Sequence, residues 1–415
     1  MKSRPVKTVL IVLAVLIVTA GACSAGFVAG WTFKNPNQQQ AGLNIFEADQ
    51  QAPPVSSTNN DELFKPFWQA YDIVHEYYVD QPVDDELLMQ GAIRGMLESL
   101  GDQHTTYMDP KEYEDATTDL AGEYEGIGAW VNTEGDFLTI VEPIKGSPAE
   151  EAGLLPGDQI IGVDGEDVTG VLPELVRQKV LGPKGSTVIL TIRRTHEEDD
   201  DEVFEVTIKR ASIQVASVES EMLEDGIAYV RLRNFGERTD RELKNQLQDL
   251  MDQNPSGLIL DLRNNTGGFL DTAINVASEF LEDGVILYED YGDGTRDTLD
   301  VKGGGTATEI PLVVLVNEFS ASASEVVAGA IQDYERGLLV GVTTFGKGSV
   351  QSWIPLDNEQ GAVRVTVARW LTPEERQISE LGLTPDVEIE RTDEDFTADL
   401  DPQLDKAIEI LNQSE

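Results

Sequence analysis

The chain has 415 residues, enough for two or three domains at roughly 150 residues each, and its 40% hydrophobic and 26% charged residues are the composition of a folded globular protein. Acidic side chains number 76 against 30 basic, and a formal net charge of −46 repels phosphate backbones and excludes nucleic acid as a partner. One cysteine, Cys23, and three histidines, His75, His104 and His196, exclude a disulfide scaffold, a four-cysteine zinc site and a haem-attachment motif.

No metal or other cofactor is expected. Cys23 lies inside a hydrophobic leader, so a bond-breaking nucleophile in this chain is a hydroxyl.

Lys2, Arg4 and Lys7 precede 26 uncharged residues, Thr8 to Phe33. About 20 such residues in a helix cross a bilayer core of roughly 30 Å, and the basic flank places the chain after Lys34 outside the cytoplasm. Residues 1–34 thus predict an anchor or a signal peptide. The length of the run favours the uncleaved anchor, an Ala20-Gly21-Ala22 cleavage site being the alternative. Ala22, Gly26 and Gly30 recur at four-residue spacing, which would pack two anchors in a homodimer or merely mark the processing site. The expected location is the cell envelope, with the membrane as a partner. Residues 35–60 have linker composition.

Residues 61–116 predict a small helical region. Leu63, Phe67, Tyr71, Val74 and Tyr78 form one apolar face, and a second helix from Glu86 to Leu100 ends at Gly101. The loop Leu-Gly-Asp-Gln-His-Thr-Thr-Tyr-Met-Asp-Pro (100–110) comes next. Between 117 and 210 the period is that of strands, with six consecutive acids, Glu197 to Glu202, as a solvated hairpin tip. From 211 to 415 strands alternate with helices, which predicts a largely parallel sheet covered by helices. The expected fold class is α/β with an all-β insert.

Two segments carry candidate chemistry. Ser320-Ala-Ser322-Ala-Ser324-Glu325 follows the apolar strand Pro311 to Val316 and opens an amphipathic helix. A hydroxyl there meets a sheet crevice and a positive helix end, which suits attack that creates an oxyanion. Ser322 with Glu325 is equally a capping box. Thr344-Phe-Gly-Lys347-Gly-Ser-Val-Gln351 places Lys347 between two glycines, where another backbone can approach, with Gln351 on the same face of an extended segment. A neutral lysine can serve a serine as base, and Gln351 could orient its amine. The rival base is His104, which the reading instead assigns to fixing its own loop. Asp261-Leu-Arg-Asn-Asn-Thr-Gly267-Gly268 closes a strand with a glycine pair able to turn a backbone N–H towards an oxyanion.

These segments closely resemble the carboxyl-terminal processing peptidases, or tail-specific proteases. The likeness runs from about Phe64 to the C-terminus. It is carried also by Gly91-Ala-Ile-Arg-Gly-Met-Leu97, Gly126-Ile-Gly128, Ser147-Pro-Ala149 with Gly157-Asp158, and Thr384-Pro-Asp386. The resemblance implies a PDZ domain for the insert and a serine endopeptidase using a Ser–Lys dyad: Ser322 as nucleophile, Lys347 as base and Gln351 in support. It implies oxyanion donors at Ala323 and the Gly267-Gly268 turn, preferably Gly268. A groove around Gly126, Ile127 and Gly128 would take C-terminal carboxylates of protein or peptide substrates. The chain departs from the family at Pro373-Glu-Glu-Arg376, where Pro-x-Gly is frequent, and at Leu181, where a basic residue is common. A non-catalytic PDZ scaffold that kept the fold is the competing function.

Overall fold

The computed structural model describes residues 60–195 and 201–413. The expected anchor and its Ala22–Gly30 stripe lie outside them, as does the hairpin tip at 196–200. The expectation of a membrane-anchored envelope protein is corrected here. Among the described residues no helix is long and apolar enough to cross a membrane. The longest, Asp85–Glu98, has 14 residues and so spans only about 21 Å.

In the N-terminal region, Asp84 caps the Asp85–Glu98 helix by accepting the Glu86 and Leu87 N–H groups at 3.0 and 3.2 Å. The Lys65–Tyr77 helix shows the predicted amphipathic pattern, yet none of its residues is buried. Strand β1 (Thr106–Met108) then leads into a helix the sequence reading missed, Pro110–Ala121. Its start is marked by proline at the first position and by Asp109, whose Oδ1 accepts the Lys111 and Glu112 N–H groups.

The insert begins with β2 (Glu123–Gly126) and continues through β3 (Ala129–Asn132), β4 (Leu138–Pro143), β5 (Gln159–Val163), β6 (Glu166–Asp167), β7 (Thr187–Arg194) and β8 (Glu202–Lys209) to β9 (Ala211–Gln214). Strands β3-β4-β5-β7-β8 form an antiparallel sheet with β6 on β5, and Ile140, Val188, Leu190 and Ile192 are fully buried in its core. Strands β2 and β9 pair only with each other, so the insert leaves and rejoins the rest on a two-stranded ribbon.

The remainder contains two further sheets. Strands β10 (Val218–Met222), β11 (Ile227–Leu232), β12 (Gly257–Asp261), β15 (Leu312–Val316), β16 (Leu338–Gly341) and β19 (Val387–Glu388) lie in that order. Every residue of β12 and β15 is buried, as expected of strands covered on both faces. One face packs Ile227, Ile259, Val313, Leu315 and Val340 against Ala407 and Leu411 of the Pro402–Asn412 helix. Alternate residues turn to the opposite face and its helices, among them Leu270–Ser278 and Ala323–Asp333.

The largely parallel sheet of the sequence reading describes only part of the core: β11, β12, β15, β16 and β19 are parallel neighbours. This sheet is mixed, because β10 pairs antiparallel with β11. A second sheet, β1-β18-β13-β14 with β17 on β18, is antiparallel throughout, built from β13 (Val285–Tyr291), β14 (Arg296–Asp300), β17 (Ser349–Pro355) and β18 (Ala362–Leu371).

Candidate active site

Three neighbouring parallel strands, β12, β15 and β16, deliver the candidate residues from their carboxyl ends, where a crevice opens in such sheets. Asn264 and Asn317 tie the first two turns together: Asn264 N–H donates to Asn317 Oδ1, and Asn317 Nδ2 donates to Asn264 Oδ1, both at 2.9 Å.

The serine run divides by function. Ser320 and Ser324 are fully buried, and their hydroxyls donate to the carbonyls of Leu262 and Asn265 at 2.8 and 2.7 Å. Ser322, between them, is partly exposed and takes φ 58° and ψ −116°. A non-glycine residue held there costs on the order of 1–3 kcal/mol, and such strain concentrates at turns that lift a nucleophile.

Glu325 accounts for how that conformation is held. It is fully buried, and its Oε2 accepts the backbone N–H of Ser322 at 2.9 Å and that of Lys347 at 3.0 Å. Its Oε1 accepts Thr344 Oγ1 at 2.7 Å and Gly346 N–H at 2.6 Å. One carboxylate therefore joins the serine turn to the lysine loop. The sequence reading saw Glu325 only as a helix cap. The usable signal was a glutamate three residues past the serine in a helix start with no other charge.

Lys347 follows β16 on a loop whose glycines are used as expected. A Cβ at Gly346 would lie 2.7 Å from Gly382 N, and one at Gly348 2.2 Å from Ser379 Oγ, so the 378–382 turn packs directly on the lysine backbone. Burial pushes the Lys347 ammonium down to about 8; the nearby Arg364 guanidinium acts in the same direction, and Glu325 partly offsets both. Gln351 is buried on β17, and its Nε2 donates to Ser349 Oγ at 2.9 Å and Thr366 Oγ1 at 3.3 Å. Its amide N–H groups go to these hydroxyls and not to Lys347.

The loop carrying His104 docks beside this group. Arg364 Nε donates to the His104 carbonyl at 3.0 Å, and Thr366 N–H to Thr105 Oγ1 at 3.1 Å. The imidazole sits below its usual range, through burial first and then the Lys347 charge. The loop is fixed by backbone groups, including His104 N–H to Asp102 Oδ1 at 3.0 Å.

The glycine pair closes the site. A Cβ on Gly267 would lie 2.8 Å from Ser322 Cβ and 3.1 Å from Ala323 N, so only glycine leaves that space open. Gly267 N–H is already donated to Asn265 Oδ1 at 3.0 Å. Gly268 bridges to Phe235 through bonds that use the Gly267 carbonyl and the Phe269 N–H. The N–H groups of Gly268 and Ala323 carry no hydrogen bond among the described residues. In the insert, the carbonyls of Ile127 and Gly128 accept from Ala149 N–H, Ile144 N–H and Ser147 Oγ. The N–H groups of Ile127 and Gly128 have no partner among the described residues. A cavity of about 570 Å³ elsewhere on the insert, lined by Pro148, Ala152, Lys184 and Lys209 among others, touches none of the candidate residues.

Residues 226–389 match peptidase family S41, residues 18–112 the N-terminal domain of the activating protease CtpB, and residues 139–194 a PDZ domain. The chain is 39% identical over 350 residues to a carboxy-terminal-processing protease of Bartonella bacilliformis, covering 82% of this chain and 79% of that one. The chain belongs to the carboxy-terminal processing proteases of family S41.

This protease is also 37% identical over 340 residues to the carboxy-terminal processing protease CtpA of Bacillus subtilis, covering 81% and 71% of the two chains. A solved S41-type protease structure from Bacteroides fragilis, 19% identical, shares its fold with a TM-score of 0.53 over 84% of this chain and 97% of that one. It is a C-terminal processing serine protease with a PDZ domain, a module suited to binding peptide C-termini.

Proposed function

We propose that this protease cleaves by a Ser322–Lys347 dyad. The observation that carries the reading is the shared Glu325 oxygen, which brings the backbones of the two residues together while burial lowers the lysine towards neutrality. Neutral Lys347 takes the Ser322 proton as Oγ bonds to the scissile carbonyl carbon. The oxyanion is met by the free N–H groups of Ala323 and Gly268, whereas Gly267 keeps the space clear. Collapse breaks the C–N bond, Lys347 returns the proton to the leaving amine, and an acyl-enzyme remains. Water then attacks the acyl carbon and gives a proton to Lys347; collapse breaks the C–Oγ bond, Lys347 passes the proton to Oγ, and Ser322 is regenerated. Gln351 supports the lysine indirectly, by fixing the hydroxyls of Ser349 and Thr366 on its strand face.

Substrate tails would be captured on the Ile127 and Gly128 N–H groups beside Gly126. We set the ends of the insert at the β2–β9 ribbon, Glu123 and Gln214, in place of the 117–210 expected from sequence, with the helical region before it and the peptidase core after it. Incubation of the chain from residue 61 with an unstructured protein tests the reading. Fragments should appear with wild type and not with Ser322→Ala, and fragments formed equally by both would refute it.

A further inference from the structure

Segment 234–238, between β11 and the Thr239–Met251 helix, touches the glycine turn on one side and the base of the ribbon on the other. Phe235 is fully buried. Its N–H donates to the Gly267 carbonyl at 2.9 Å, and its carbonyl accepts Phe269 N–H at 2.8 Å. Even the missing Cβ of Gly268 is needed, since it would sit 2.3 Å from Phe235 O. The position of Phe235 therefore sets the position of Gly268.

Gly236, next to it, is held locally by Thr239 Oγ1 on its N–H at 3.0 Å and Thr272 Oγ1 on its carbonyl at 3.1 Å, and further contacts come from outside the sheet. Glu237 N–H donates to the Leu120 carbonyl at 3.2 Å, and a Cβ on Gly236 would stand 2.5 Å from that same oxygen. Arg238 Nη2 donates to the Gly122 carbonyl at 2.6 Å, and Gly122 O also accepts Val215 N–H at 3.0 Å. That carbonyl lies where both strands of the ribbon leave the peptidase. The Arg238 side chain is only 18% exposed, with Nε 3.6 Å from Glu242, so the guanidinium is held between the helix and the ribbon base.

We infer that Arg238 is a positioning residue for catalysis: by fastening the Gly122 carbonyl it fixes segment 234–237 against the Gly267-Gly268 turn and so places the Gly268 N–H. The inference rests on Gly268 acting as an oxyanion donor. It also means that the turn is seated on the ribbon that carries the PDZ domain.

The test uses the full chain, a small activated ester without a C-terminal tail, and phosphonate labelling of Ser322 to count active sites. Removing an oxyanion donor outright costs about 10²–10³ in kcat. Misplacing one through Arg238→Met is expected to lower kcat about tenfold or more, with KM changed less than twofold. Arg238→Lys keeps a donor within reach of Gly122 and should recover most of that loss. Gly236→Ala attacks the same latch from the Leu120 side and should reproduce the kcat loss if the Met variant does not fold.

Wild-type kcat in folded Arg238→Met, or in folded Gly236→Ala should the Met variant not fold, overturns the inference. A loss that tracks the folded fraction in denaturant, with Lys no better than Met, overturns it too. Wild-type enzyme that neither turns over the ester nor labels at Ser322 refutes the nucleophile reading, and this one with it. Wild-type enzyme that does both leaves the outcome bearing on Arg238 alone.

Discussion

Lys347 couples chemistry to stability with opposite signs. Its pKa is about 8 in the fold against 10.5 for the free side chain. Between those values the unfolded chain binds the extra proton, so stability attributable to this group rises with pH from about 8 to 10.5. Below pH 8 the native state carries the full penalty, about 3 kcal/mol as a ceiling. Lys347→Met should therefore be inactive yet more stable than wild type at pH 7. Its advantage should shrink by pH 9.5, as denaturant midpoints at the two pH values will show. Wild-type ester turnover should climb through pH 8 as the amine becomes neutral.

Ser322→Ala should cost about 0.5–2 kcal/mol as a lost cap, while turnover falls on the order of 10³-fold or more. A folded Ala variant with activity near wild type would contradict the assignment. Both residues stood out in the sequence as candidates, because their types and neighbours are unusual. The partner of Gln351 was not legible, because a bulge between Val350 and Gln351 shifts the strand register and aims its amide at Ser349 and Thr366.

At the scale of elements, one buried carboxylate joins the serine turn to the lysine loop. Glu325→Gln replaces one accepting oxygen by a donor that faces backbone N–H groups. Bonds to a charged acceptor are worth about 1.5–3 kcal/mol each. The variant should lose about 2–4 kcal/mol of stability, read from its denaturant midpoint. Acylation of the remaining folded protein should also slow, because the serine and lysine loops part. Stopped-flow release of an ester leaving group will separate the two effects. Wild-type acylation in the folded Gln variant would show that the clamp is structural only.

Strands β12 and β15 were readable as continuous apolar runs, since both faces are covered. Strands β13 and β14 were not. Their sequences, Val-Ile-Leu-Tyr-Glu-Asp-Tyr and Arg-Asp-Thr-Leu-Asp, mix charge with apolar residues, and the Asp290–Arg296 pair that joins them is visible only once they are paired. Hence the antiparallel sheet was missed and the parallel content overstated.

At the scale of the molecule, all proposed catalytic groups lie after residue 260, outside the insert. Deleting 123–214 and joining Gly122 to Val215 should leave a protein that still labels at Ser322 with a small phosphonate but no longer prefers tailed peptides. Loss of labelling in folded protein would show that the PDZ domain completes the site. The strand-rich character of the insert was legible from the change of hydrophobic period. The exposed face of Lys65–Tyr77 was not, since a periodic pattern announces an apolar stripe without saying whether this chain covers it.

The bond between Val215 N–H and the Gly122 carbonyl means that the chain leaves the peptidase and returns to it at one point. A segment attached this way closes its own loop, so replacing it with a longer or shorter one costs the host little chain entropy. The PDZ domain is attached like a cartridge, so it can be exchanged without opening the chain of the peptidase core elsewhere. Chimaeras cut at these two residues are the natural way to graft a new tail preference onto this peptidase.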